Sequence, residues 1–309
     1  MRRRAVVCCG MEFASGVDRS ERPIIWDLLS KHRVFNGGSA MRNEQWEEFH
    51  RGRIMNARDS ARELMQVGRA LDDPRSTGLG RSLLASIALV SDSYLDALEY
   101  SEQSIAVAVT PLDRETAVNI KGCALLLLRR TEDGLELLCK FRARCFADGD
   151  LLSLITSDSI IGVSEVIRGN IRYGIRMLEE AISKREKEGY QAAADWYRLF
   201  LSEVYLQIVG RSEKLPLPAL LRNLPILLVV MVTASSRIRA LLMRVLENPR
   251  YDPAGHFVGR SQMILGLLYK AKKKRALAVQ HLTEAKRIES EFGPTPMLAR
   301  IDAALAALG

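Results

Sequence analysis

Apolar residues recur along this chain at the three-to-four-residue spacing of amphipathic helices, and no segment alternates with the period of two that a β-strand requires. The stretch Leu265–Ile288 shows the pattern most clearly, with two apolar stripes on either side of a short run of cations. The pattern predicts an all-α protein, helical from about residue 44 to 307 and without a sheet.

The same stretch matches the spacing of a tetratricopeptide repeat. Its first half has the L-G-x-x-Y spacing of the first repeat helix, and its second half has the small, large and small residues of the second. Gln262 stands where the repeat usually has Trp, and the closing proline comes late, at Pro294. The matching residues are Leu265, Gly266, Tyr269, Ala278, Leu282 and Ala285.

Three upstream segments have the same architecture of an apolar helix, a polar turn and a second helix with a small residue at one position. That residue is Ala97, Gly134 and Gly174 in turn, at intervals of 37 and 40 residues. Two helices that cross closely leave no room for a larger side chain at the contact. Four such units predict an α-α superhelix, a tetratricopeptide-like solenoid of helical hairpins.

The repeats divide the chain into two parts. Residues 1–43 show no repeat and form an N-terminal segment that could be ordered or disordered, whereas 44–309 are assigned to the solenoid. The prolines at 216, 218 and 225 are expected to break regular helix and mark a Pro-containing helical insertion at about 211–235. Within it, Leu224–Val232 is expected to be a buried helix, too short to span a membrane.

The charge distribution raises the question of a basic binding surface. The chain carries a net charge of +8, and residues 191–309 alone account for +8. No aromatic residues interleave with these cations, so nucleic acid is not the expected partner. A basic run is expected in the turn of the last hairpin, either as solvated turn or as a contact for an acidic partner or a phosphate backbone. Its residues are Lys272, Lys273, Lys274 and Arg275.

No motif for catalysis or for a cofactor is complete. Gly169–Arg176 has the two glycines of a phosphate loop, but Ile175 and Arg176 replace its Lys and Ser/Thr. Gly78–Gly80 lacks the third glycine of a dinucleotide fingerprint and is interpreted as a helix boundary. The four histidines and five cysteines lack metal-ligand spacing. We therefore expect no catalytic residue, metal or cofactor, and the N-terminus lacks the apolar core of a secretory signal, which favours the cytoplasm.

Several segments resemble the C-terminal tetratricopeptide-like region of large bacterial class III adenylate cyclases. They include ALEYSEQSIAVAVTPLDR from Ala97, EEAISKREKEGYQAAADWYRLFLSEVYLQIVG from Glu179 and RYDPAGHFVGRSQMILGLLYKAKKKRALAVQHLTEAKRI from Arg250. The resemblance covers roughly residues 60–309. In that family a catalytic domain, often followed by an ATPase-like module, precedes the repeats, and about 40 unassigned residues are too few for such a domain.

The resemblance implies a function in cyclic AMP signalling without catalysis by this chain. One hypothesis is a protein-interaction or regulatory module, the detached C-terminal part of a cyclase, whose groove binds a peptide or a helix. The alternative is a regulatory subunit, or a member of the adenylate cyclase family, that acts in cyclic AMP signalling together with a separately encoded catalytic domain.

Overall fold

The computed structural model describes residues 48–149, 151–210 and 217–309, and gives side chains for all of these except 151–156 and 217–222. In these ranges all regular structure is helical and there is no strand, which confirms the all-α fold. The predicted non-repeat segment 1–43 lies outside the described residues.

Twelve α-helices lie wholly within the described ranges, and each packs against the next. A short 3-10 helix, Ser290–Phe292, separates the last two. The helices are α1 Ile54–Ala70, α2 Pro74–Val90, α3 Tyr94–Ala106, α4 Pro111–Leu127, α5 Thr131–Asp148, α6 Leu151–Ile167, α7 Ile171–Lys187, α8 Gln191–Gly210, α9 Leu217–Leu246, α10 His256–Ala271, α11 Arg275–Glu289 and α12 Pro296–Ala306.

Turns of three residues reverse the chain inside most hairpins. After α2, for example, the backbone N–H of Ser93 donates to the carbonyl of Ala88 at 2.9 Å, the long bond of a Schellman motif. The middle residue of each turn has a φ between 56° and 85°, the left-handed region. These turns bring each second helix back along the first. Their middle residues after α2, α4, α6 and α10 are Asp92, Arg129, Gly169 and Lys273.

Small residues on both helices permit the close crossing inside a hairpin. A Cβ added to Gly134 would lie 2.8 Å from the carbonyl oxygen of Gly122, and one added to Gly174 would lie even closer to that of Gly162. The second-helix positions identified from the sequence therefore have first-helix counterparts 12 residues earlier. The pairs are Ala85 with Ala97, Gly122 with Gly134, Gly162 with Gly174, and Gly266 with Ala278.

The glycines at 78 and 80 are inside α2, so their interpretation as a helix boundary is wrong. The helix begins four residues earlier, at Pro74, where the Asp73 side chain accepts a hydrogen bond from the Arg75 backbone at 3.0 Å. A Cβ on Gly80 would lie 2.7 Å from the carbonyl oxygen of Ala61. This glycine therefore permits α1 and α2 to approach each other closely.

The helix α9 corrects a second expectation, because its prolines do not interrupt it. Pro218 is in the first turn, where a backbone N–H has no helical acceptor, and Pro225 is on the solvent side. Pro216 lies outside the described residues. Residues 217–235 of the helical insertion expected at about 211–235 thus belong to a helix of 30 residues, which packs on α8 as the second helix of that hairpin.

The expectation that Leu224–Val232 is buried is wrong for most of its residues. Leu227 and Val230 pack into the core, but the other side of this stretch faces solvent, with Val232 84% exposed. By length and composition alone, Asn223–Leu246 is the one described segment that could cross a membrane. Here it packs along one side on α8 and α10.

The beginning of residues 48–309 contacts the late helices: the turn before α1 meets the start of α10, and α1 meets the 3-10 helix after α11. The backbone N–H of His256 donates to the carbonyl of Gly52 at 2.9 Å, and the Arg58 guanidinium donates to the carbonyl of Phe292 at 3.2 Å. The row of hairpins therefore closes on itself and forms a ring of helices. Periodicity alone does not predict this closure, because it depends on the rotation from each hairpin to the next.

A substitution at Ala278 tests the close crossing of α10 and α11 directly. It is fully buried where α10 and α11 meet, whereas Ala276 on the same helix is exposed. We expect Ala278→Leu to overpack the crossing and lower the free energy of unfolding by about 1–3 kcal/mol. The control Ala276→Leu should change it by less than about 0.5 kcal/mol. Denaturant titration of both variants measures the difference, and equal effects would contradict the assigned crossing.

Candidate functional site

A partly open cavity of about 190 Å³ lies inside the ring, lined by side chains of the first helices of five successive hairpins. Its apolar lining residues come from α2, α4, α6 and α8, and several are only half-buried. Half-buried apolar side chains that face one cavity form a surface that can receive apolar groups of a ligand. They include Leu89, Leu127, Val163, Val166, Ile167, Trp196 and Phe200.

Two aromatic residues on α8 form one wall of the cavity. The rings of Trp196 and Phe200 pack edge to face with centroids 5.0 Å apart, and Trp196 also contacts the buried ring of Phe257, 5.5 Å away. Edge-to-face contacts hold both rings in defined positions. This wall is therefore a preformed apolar surface.

A buried arginine forms the polar end of the cavity. The guanidinium of Arg260, on α10, donates to both carboxylate oxygens of Glu203 on α8, at 3.0 and 3.1 Å. It also donates to the carbonyl of Val90 at 2.8 Å and to the carboxylate of Asp92 at 3.1 Å, both at the end of α2. One side chain on α10 thus joins the end of α2 to α8 and fixes the shape of the cavity.

The charges in this cluster stabilise one another. Burial alone would raise the pKa of Asp92, but the guanidinium groups of Arg260 and Arg300 and the Tyr94 hydroxyl lower it below its ordinary value. Burial alone would lower the pKa of Arg260, but the carboxylates of Asp92 and Glu203 raise it well above its ordinary value. Asp92 and Arg260 therefore remain charged at neutral pH despite their burial.

A second buried cluster holds the long helix α9 and the loop after it against α8. The carboxylate of Asp195 accepts hydrogen bonds from the Tyr251 hydroxyl and the Asn248 amide, both at 2.8 Å. Arg198 also pairs with this carboxylate. Burial, followed by the charge of Asp195, raises the pKa of Tyr251 far above its ordinary value, so its hydroxyl remains a donor. The cluster is structural, since the Asp195 carboxylate is occupied by Tyr251, Asn248 and Arg198.

The residues proposed from the repeat signature serve the packing of the hairpins and are not part of the cavity. Leu265, Ala278, Leu282 and Ala285 are buried, and the ring of Tyr269 stacks on His281 with centroids 5.3 Å apart. Ala97, Gly134 and Gly174 are likewise buried at hairpin crossings.

The basic run is exposed and lies outside the cavity. Lys272, Lys273 and Lys274 form the turn between α10 and α11, and Arg275 is the first residue of α11. The Arg275 guanidinium donates to the carbonyl of Gly309 at 3.2 Å. None of the four contributes to the lining described above, so the structure separates this charge cluster from the apolar site.

Sequence reasoning missed the residues of the cavity. Trp196 and Phe200 are one helical turn apart, a spacing that equally predicts core, and Glu203 resembles a surface charge. Arg260 offered one signal, because it is the one charged residue in the apolar run of Phe257–Tyr269. A charge within an apolar helix face needs a buried partner.

The described residues hold no group of three or more His, Cys, Asp or Glu side chains that could bind a metal ion. The two glycines at phosphate-loop spacing have structural roles. Gly169 has a φ of 85° in a turn, and Gly174 lies where two helices cross closely. In comparisons with known proteins, no family model and no curated protein matches this chain.

The Asp92 carboxylate predicts how stability depends on pH. Because its pKa is lower in the folded protein, its contribution to stability is complete at neutral pH and is lost as the pH falls below about 4. We expect Asp92→Asn to lower the free energy of unfolding at pH 7 by about 1.5–3 kcal/mol, the value of a hydrogen bond to a charged group. The variant should approach the wild type as the pH falls. Denaturant titration from pH 7 to pH 3 tests this, and a constant difference would contradict it.

Proposed function

We propose that the chain is a non-catalytic protein-interaction module whose ring cavity binds apolar side chains of a helix or an extended peptide. The observation that carries this proposal is the row of half-buried apolar residues from four first helices, beside the fixed aromatic wall of Trp196 and Phe200. Such a wall makes contact without the loss of much side-chain freedom, because its rotamers are already held.

The polar residues around the cavity suit a peptide better than a purely apolar ligand. Gln207 and Arg129 lie at its exposed edge, and Glu203 and Tyr94 also line it. An amide and a guanidinium at the edge can donate hydrogen bonds to backbone carbonyls of a bound segment. The expected ligand is therefore an amphipathic segment with one or two apolar anchors.

The resemblance to cyclase C-terminal regions supports a narrower form of this proposal. In it the chain acts in cyclic AMP signalling in the bacterial cytoplasm, as a detached module or as a regulatory subunit, and binds a cyclase or ATPase-like module encoded separately. The quoted sequence segments are its support. A class III cyclase catalytic domain is accordingly the first candidate partner to test.

Filling the cavity mouth tests the proposal. Gln207 is exposed and lines the cavity, so Gln207→Trp should obstruct it without removing a buried group. We expect peptides selected against the wild-type chain from a displayed library to bind this variant at least about tenfold more weakly, a loss of about 1.4 kcal/mol. Fluorescence anisotropy with labelled peptides measures the affinities.

The matched control is Gln280→Trp, an equally exposed glutamine on α11 outside the cavity lining. It should retain wild-type affinity. Equal affinity of both variants and the wild type would show that the selected peptides bind elsewhere and would contradict the proposal.

The basic run of Lys272, Lys273, Lys274 and Arg275 allows a separate test of whether the partner carries acidic residues beside its apolar anchor. Changing its four cations to serine should leave stability nearly unchanged, because these side chains are exposed. If the partner carries acidic residues next to its apolar anchor, the variant should bind it more weakly and with less dependence on salt. Titration at low and high ionic strength measures this, and unchanged affinity and salt dependence would exclude the turn from the interface.

A further inference from the structure

The outer face of α9 is apolar over its first three described turns. Leu228 is 57% exposed, Val232 is 84% exposed, and Leu224, Val229 and Met231 are each about half exposed. Successive i, i+4 positions place Leu224, Leu228 and Val232 along one exposed ridge of the helix. Large apolar side chains that are exposed next to one another mark an interaction surface rather than ordinary protein surface.

The other second helices show that an apolar outer face is not a requirement of this fold. The exposed positions of α3 include Asp96, Glu99 and Glu102, and those of α7 include Arg172 and Arg176. The outer faces of α5 and α11 also carry several charged residues. A solvated outer face is thus the norm in this ring, and α9 departs from it.

The charges on α9 are all positive. Leu217–Leu246 contains no Asp or Glu. Two nearby carboxylates are neutralised, since Arg237 binds Glu179 at 3.0 Å and Arg244 binds Glu186 at 2.8 Å. Arg239 is exposed two turns beyond the end of the apolar ridge, and its Nε donates to a backbone carbonyl, that of Ser235. The face therefore combines apolar side chains with a guanidinium that pairs with no carboxylate among the described residues.

The geometry of this face decides between possible occupants. It is the convex side of a single helix and presents few side chains, whereas a stable protein interface takes about 20–30 residues from each partner. A second copy of the chain would thus gain little contact. A lipid surface needs no complementary groove, because apolar side chains insert between acyl chains and cations contact the phosphates.

We propose that α9 binds the chain peripherally to anionic lipid membranes, with Leu224, Leu228 and Val232 inserted into the bilayer surface and Arg239 at the phosphates. The buried side of α9 stays packed on α8 and α10, so the helix lies along the membrane and does not cross it. This inference is independent of the cavity and of the function proposed for it.

Flotation of the full chain with vesicles tests the proposal. Vesicles of phosphatidylcholine alone are compared with vesicles that also contain phosphatidylserine. We expect the wild type to float with the anionic vesicles, and Arg239→Gln to weaken that binding about fivefold, the contribution of one cation near a charged surface. The double variant Leu228→Glu, Val232→Glu should no longer float with the anionic vesicles.

The matched control is Leu95→Glu, which changes an exposed leucine, 70% exposed compared with 57% for Leu228, on the outer face of α3. It should float like the wild type. Circular dichroism and melting of each variant confirm that it is folded. Two results would overturn the proposal: no flotation of the wild type with anionic vesicles, or equal flotation of the double variant. If the wild type sediments as a dimer and the double variant sediments as a monomer, the outer face of α9 is instead an interface between two copies of the chain.

Discussion

The helical ring of residues 48–309 depends on the hydrogen bonds and ion pairs of the buried Arg260 guanidinium. This guanidinium binds Glu203 on α8 and both a carbonyl and a carboxylate at the end of α2, residues that lie far apart in the chain. An arginine can satisfy several acceptors at once because its planar group carries five N–H donors. The cavity has its present walls because this side chain keeps the early and late hairpins together.

The hairpins could be predicted from the sequence, because they depend on packing between helices that are neighbours in the chain. Small residues such as Gly134, Gly174 and Ala278 can be recognised in the sequence, because two helices that cross closely leave no room for a larger side chain. Their first-helix counterparts, including Gly122 and Gly162, follow the same 12-residue spacing and could have been found by the same argument. The resemblance to cyclase regions remains a hypothesis beside this structural result.

Closure of the ring and the cavity could not be predicted, because both depend on small rotations that add up over five hairpins. The pairing of Asp92 with Arg260 joins positions 168 residues apart, and no local pattern encodes it. The prediction that Leu224–Val232 is buried was wrong for a related reason. Hydropathy shows that a helix is apolar but not how many neighbours it has, and α9 has neighbours on one side.

The two proposed surfaces have different physical characters. The cavity offers fixed, half-buried side chains that suit a shaped ligand, while the outer ridge of α9 offers a convex apolar strip that suits a soft surface. Because they lie on the inside and the outside of the ring, both can be occupied together. A module with this arrangement could hold a partner segment while bound to a membrane.

A double-mutant cycle between Asp92 and Arg260 tests the central claim, closure of the ring by a buried ion pair, most directly. The free energies of unfolding of wild type, Asp92→Asn, Arg260→Met and the double variant give the coupling energy of the two side chains. Closure predicts a coupling within the range of about 0.5–3 kcal/mol found for residues in contact. Additive effects within about 0.3–0.5 kcal/mol, the behaviour of distant sites, would show that the two residues do not meet in solution.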